Sequence, residues 1–222
     1  FDEEDAKIKE KQITVLTRED ARYPKSFLNL SDPPICLYVK GDLANFHWND
    51  ESYQELYFAV VGTRTPTAYG QQVTTKFSRE LAESDVIIVS GMAMGIDALA
   101  HWAAIHAAKR TVAFLGCGVN IIYPWINRDL YHKIIDSGGL VISEFPPDKT
   151  TIKGHFVARN RLISGLSKGV LVAEGLIDSG SLITARYALQ QGKDVFAPPA
   201  PITSDQSQAP NLLLKEGAKL VT

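Results

Sequence analysis

The segment KTTIKGHFVARNRLISGLSKG, residues 149–169, carries residue types and spacings that suit a polyanion. Between Lys149 and Ala173 lie five Lys or Arg and no Asp or Glu, in a chain whose net charge is −2. Lys153 and Phe156 are expected in a loop just ahead of a helix that holds Arg159, Asn160 and Arg161. There a flexible cation and an exposed ring could meet a phosphate and a base. Aromatic stacking over a cationic groove holds single-stranded nucleic acid, at roughly 1–3 kcal/mol per stacked base. The same residues also fit a plainer arrangement, with Phe156 in the core and the lysines on a solvated face. Arg159 and Arg161, two apart, cannot share a face of a regular helix. One is expected toward a binding rim and the other toward the interior or a carboxylate such as Glu144 or Glu174.

Three glycine- or serine-rich turns add a second set of candidates. In VVGTRTPTAYG (60–70), Gly62 and Thr63 turn from a strand into a helix start, and Arg64 adds a planar donor suited to phosphate. Ser90 and Gly91 open SGMAMGIDALAH (90–101) in the same way. Ser179, Gly180 and Ser181 begin DSGSLITARYALQQG (178–192), where the serines suit helix capping and the N–H groups suit an anion. No turn completes a Walker A loop, and GCGVN (116–120) lacks the third glycine of the dinucleotide fingerprint. Asp97 and His101, four apart, read as an acid–base pair or half a metal site. The spacing fits better a helix-start carboxylate beside a hydrogen-bonded histidine. Cys36 and Cys117 match no disulfide framework or zinc spacing and are expected as packed, reduced thiols. No metal, cofactor or catalytic residue is assigned.

The elements that must position these residues alternate regularly from Tyr57 onward. Short apolar runs at 57–62, 86–91, 111–116, 139–143, 169–175 and 194–197 are separated by helix candidates near 67–83, 96–108, 127–137, 157–166 and 180–191. Asn127 reads as an N-cap, with Gly138–Gly139 and Gly192 as stops. Continuous apolar strands between helices imply an α/β fold with a doubly wound, mostly parallel sheet covered on both faces. In such sheets ligands bind at the carboxyl ends of the strands, which is where the polar turns fall. Ahead of this core, residues 1–12 read as a charged tail. Residues 13–55 form a turn-rich lead-in with one short strand over Ile35–Val39.

Composition limits the alternatives. The lead-in to residue 55 has twelve acids and seven bases, whereas residues 56–222 have thirteen acids and sixteen bases. A basic body behind an acidic start fits a polyanionic partner. No apolar run approaches the roughly 18 residues of a membrane span, so a cytoplasmic protein without a membrane partner is expected.

In order along the chain, VVGTR, SGMAMGID…AH, TVAFLGCGVNIIYPWINRDL, GGLVISEFPP, ARNRLISGLS, SGSLITARYAL and NLLLKEGAKLV resemble the DNA-processing protein A (DprA, or Smf) family. DPPICLYVKGD resembles the extension that precedes that family's core. The resemblance runs from about residue 13 to the end. It implies an extended Rossmann-like domain that binds single-stranded DNA without catalysis, helps load the RecA recombinase in natural transformation, and works as a homodimer. The family's DNA-binding positions fall here on Arg64, Lys153 and Phe156. Gly62, Thr63, Ser90, Gly91, Arg159, Asn160, Ser179, Gly180 and Ser181 complete the expected surface. Val157 departs from the family's F-P-x-R-N-R pattern, and FAPPAPITSDQSQAPN from its usual loops. The alternative is a Rossmann-like nucleotide sensor or a nucleoside-monophosphate hydrolase, whose P-G-G-x-G-T-x-x-E signature the chain lacks.

Overall fold

The computed structural model describes residues 6, 8–50, 52–53 and 55–222. Its strands are β1 (Thr14–Thr17), β2 (Cys36–Lys40), β3 (Leu56–Val61), β4 (Val86–Ser90), β5 (Thr111–Phe114), β6 (Leu140–Ser143), β7 (Gly169–Val172), β8 (Asp194–Ala197) and β9 (Lys219–Leu220). The helices are α1 (Ala68–Glu83), α2 (Ile96–His106), α3 (Arg128–Asp136), α4 (Lys153–Leu166), α5 (Gly180–Gln190) and α6 (Gln208–Lys215). The described strands form one sheet in the order β1-β2-β6-β5-β4-β3-β7-β8-β9. Its run from β6 to β9 is parallel throughout, and β1 and β2 extend it antiparallel beyond β6.

Strict alternation explains why the strands read as unbroken apolar runs. In β3, Ala59 and Val61 enter one core layer and Val60 the opposite one. Val170 and Val172 of β7 likewise oppose Leu171. One layer is closed by Leu162, Ile163 and Leu166 of α4 with Leu182, Ala185 and Ala188 of α5. The other is closed by Ile96, Ala100 and Ala104 of α2, and further along by Leu130, Tyr131 and Ile134 of α3. A strand buried on both faces has no solvent side to carry polar residues.

Several local expectations change. α4 begins at Lys153 rather than near residue 157, so Lys153 and Phe156 stand on its first turn instead of in a loop. Asn127 precedes α3 without capping it, because its amide donates instead to the Met92 and Ala93 carbonyls at 2.9 and 3.2 Å. The glycine stops do close their helices: Gly138 and Gly192 take positive φ, and Gly139 and Lys193 return hydrogen bonds to Ile134 and Ala188. β1, α6 and β9 are elements the apolar pattern did not mark. Of the charged tail over 1–12, residues 1–5 and 7 lie outside the described residues; residues 8–10 are helical and Ile8 packs on the core.

Candidate nucleic-acid interface

The chain runs outward from β3 through β4 and β5 to β6, then returns through α4 to place β7 on the other side of β3. The strand order therefore reverses between β3 and β7, and the carboxyl ends of those strands flank a crevice. A cleft of about 620 Å³ lies there. Gly62, Thr63, Arg64, Lys153, Phe156, Arg159, Asn160, Ser179, Gly180 and Ser181 all line it. Residues from the β3–α1 turn, from α4 and from the α5 start thus meet at one place.

Each wall has its own chemistry. The exposed Arg64 guanidinium stands 6.0 Å from the centre of the Phe156 ring. Phe156 is half-buried; its ring also meets Tyr123, with ring centres 5.5 Å apart and planes inclined by 40°. Core residue and exposed ring, the two roles open to Phe156, are thus shared within one side chain. A methyl group on Gly116 would come within 2.8 Å of the Phe156 ring, so that glycine seats the aromatic rather than a ligand. α4 is preceded by Ile152, which makes no side-chain cap, and its first turn carries Lys153 and no acid. A cation at a helix N-terminus opposes the dipole by about 0.3–1 kcal/mol. Lys153 is therefore poorly placed for helix stability and well placed to meet an anion. The exposed Gly180 amide opens α5 beside it, where Ser179 does not cap the helix but bonds Ser181 through its hydroxyl at 2.6 Å. Asp178 stands at the same rim and is the exposed acid on the cleft wall.

The α1 N-terminus is already filled. Glu174, buried at the end of β7, accepts from the Thr67 amide at 2.9 Å and from the Thr67 hydroxyl at 2.6 Å. Gly70 leaves no room for a side chain against that carboxylate. The anion position expected at this helix is thus taken by the protein's own acid. Among the described residues Glu174 pairs with no arginine; Glu144 does, in two 2.7 Å bonds from Arg161.

Ser90 and Gly91 are corrections. Ser90 is fully buried and donates to the Val60 carbonyl at 2.6 Å, while Gly91 leaves its space to the Arg159 guanidinium. Neither lines the cleft. Arg159 is 4% exposed; it donates to the Phe114 carbonyl, and its Nε has no hydrogen-bond partner among the described residues. Burial lowers the pKa of Arg159 and raises that of Asp97, each charge opposing the other's shift. Asp97 accepts from the Gly91 amide at 3.1 Å, and His101 meets Thr111 at 2.7 Å, so they do not act as a pair. Burial pushes the His101 imidazole down to about 3 and the Cys117 thiol up to about 11. Among the described residues no group of His, Cys, Asp and Glu is arranged to hold a metal. The cleft residue that sequence reasoning missed is Tyr123; its signal was an aromatic before a proline, beyond the carboxyl end of β5.

A model of the family described as DNA recombination-mediator protein A matches residues 14–222. The chain belongs to that family. It is 45% identical over 200 residues to Protein Smf of Escherichia coli (strain K12), a match covering 90% of this chain and 52% of that protein. It is 38% identical over 216 residues to the DNA processing protein DprA of Bacillus subtilis (strain 168), covering 97% and 70%. The chain therefore spans about half the length of the first relative. Among solved structures, the DprA of Streptococcus pneumoniae superposes with a TM-score of 0.86 at 38% identity, over 98% of this chain and 75% of that one. DNA processing protein A from Helicobacter pylori, described for its single-stranded DNA binding mode, gives a TM-score of 0.81 at 35% identity, over 94% and 90%. The doubly wound α/β fold and the family resemblance are both upheld by these matches. Among the described residues no helix is long and apolar enough to cross a membrane.

Proposed function

We propose that this chain binds single-stranded DNA in the cleft between β3 and β7. The observation that carries the reading is the convergence of Arg64, Lys153 and Phe156 in that cleft, beside the open α5 start. Arg64 and Lys153 take the phosphates, and Phe156 with Tyr123 takes a base. The Helicobacter pylori relative, described by its binding to single-stranded DNA, supports the same ligand. Family membership supports the wider role: a cytoplasmic homodimer that protects incoming strands and helps load RecA in recombination and transformation. It acts by binding rather than catalysis. The carboxylates a nucleotide hydrolase would need, Glu144 and Glu174, are held in the Arg161 pair and the α1 cap.

A salt titration with oligo-dT, read by fluorescence anisotropy, tests this reading. Affinity falls with salt at a slope near −0.7 per phosphate neutralised. Replacing Arg64 and Lys153 by Ala weakens binding and flattens that slope by about 1.4. Equal affinity and slope for wild type and double variant would refute the site, and tighter binding to duplex would refute the ligand.

A further inference from the structure

We infer that Trp125, with Arg128 behind it, is a second base-stacking platform that carries a bound single strand out of the cleft. The inference rests on the reading of the cleft as a single-strand site. The loop from β5 to α3 turns three large side chains outward: Tyr123 is 43% exposed, Trp125 66% and Ile126 76%. Exposed apolar surface on this scale marks a contact surface when it is contiguous and rigidly held. It is rigidly held here. A single 3-10 turn spans Trp125–Asn127, the Asn127 amide N–H bonds the Pro124 carbonyl at 3.0 Å, and the Asn127 side chain ties the turn to the loop after β4.

Two further observations point to a nucleobase as the occupant. The first is continuity: Tyr123 packs on Phe156 and lines the cleft, and Trp125 follows two residues later. Two residues span at most about 7 Å of chain, so the Trp125 backbone lies within that reach of the cleft residue Tyr123. The second is charge. The Arg128 guanidinium lies over the Trp125 ring, 5.3 Å from its centre, so a cation backs one face of the aromatic beside which a phosphate would pass. A ring with a guanidinium partner is a sequence-tolerant base receptor. Asp129, which contacts Arg128 at 3.2 Å, tempers that charge and turns the platform toward stacking rather than phosphate capture.

The experiment is anisotropy with oligo-dT of increasing length, on the full chain and on Trp125→Ala and Trp125→Phe. Short oligomers that fill only the cleft bind wild type and Trp125→Ala equally. Longer ones bind Trp125→Ala about 5- to 150-fold more weakly, the range for one lost stack, and Trp125→Phe restores most of the loss. A Trp48→Phe/Trp102→Phe background leaves Trp125 as the one tryptophan of the three, and its emission is then quenched by long oligomers and not by short ones. If wild type gains from length and Trp125→Ala gains equally, the platform is refuted while the cleft stands. If wild type binds no oligomer, both are refuted. An unchanged length dependence together with a sedimentation shift in Trp125→Ala would reassign the patch to a protein contact.

Discussion

At the scale of single residues, burial rather than identity decides which polar groups the cleft presents to solvent. Arg64 and Arg159 both line the cleft, but one guanidinium is exposed and the other is 4% exposed and locked beneath Gly91. His101 shows the same division. The Thr111 hydroxyl donates to the Ile88 carbonyl at 2.6 Å, so it accepts from His101, which places the imidazole proton on Nδ1 and leaves Nε2 without a partner among the described residues. With its folded pKa near 3 against about 6.5 when unfolded, His101 stays neutral in the fold while the unfolded chain takes up a proton. Its contribution is therefore full above pH 6.5 and is lost as pH falls toward 3. Asp97, raised by burial, pulls the opposite way over part of that range. Comparison with His101→Asn cancels it. The stability of wild type relative to this variant, from denaturant melts, should drop by about 1.4 kcal/mol per pH unit below 6.5. A pH-independent difference would show that His101 is not held neutral.

At the scale of elements, helix ends separate structure from function. α1 is closed from within by Glu174, whereas α4 and α5 begin without a side-chain cap and open on the cleft. Glu174→Ala leaves the Thr67 amide and hydroxyl without their acceptor, at about 1–3 kcal/mol. Tm should fall by roughly 2–4 °C for each kcal/mol lost. Glu174→Gln keeps one acceptor and should fall less. A catalytic carboxylate would show the reverse pattern, with activity lost in Gln and stability kept. The strands and most helices were legible because alternation and period leave a plain pattern. The start of α4 was not: Ile152 is a poor cap and Gly154 a poor helix former, yet Phe156 seated on Gly116 and Tyr123 draws the helix back to Lys153. α6 was hidden by Pro210, which sits in its first turn, where a missing N–H costs nothing. That Arg64, Lys153 and Phe156 would share one cleft was legible in the sequence. The burial of Ser90, Gly91 and Arg159 was not, since it depends on which side of the sheet α4 crosses.

At the scale of the whole molecule, the lead-in and the body share one core. Phe27 is fully buried on the turn at Lys25–Asn29, with its ring edge-on to Tyr23 at 6.2 Å and to Phe114 of β5 at 5.9 Å. Gly165 of α4 leaves room for it: an added methyl there would lie 3.3 Å from the Phe27 ring and 3.1 Å from Leu30. Arg161 of α4 also donates to the Asp32 carbonyl at 2.9 Å. The helix that carries Lys153 and Phe156 into the cleft is thus braced at its far end by residues 25–32. Phe27→Ala opens a cavity at that brace, with a cost of about 3–5 kcal/mol. The loss should appear in both halves at once. Trp48, in the lead-in and 6.4 Å from the Tyr57 ring of β3, reports on one; far-UV circular dichroism, dominated by the body, reports on the other. In a Trp102→Phe/Trp125→Phe background the two signals should move to lower temperature together and remain superimposable. A Trp48 transition that melts ahead of the helical signal would show the lead-in to be a separate unit and the brace on α4 to be dispensable.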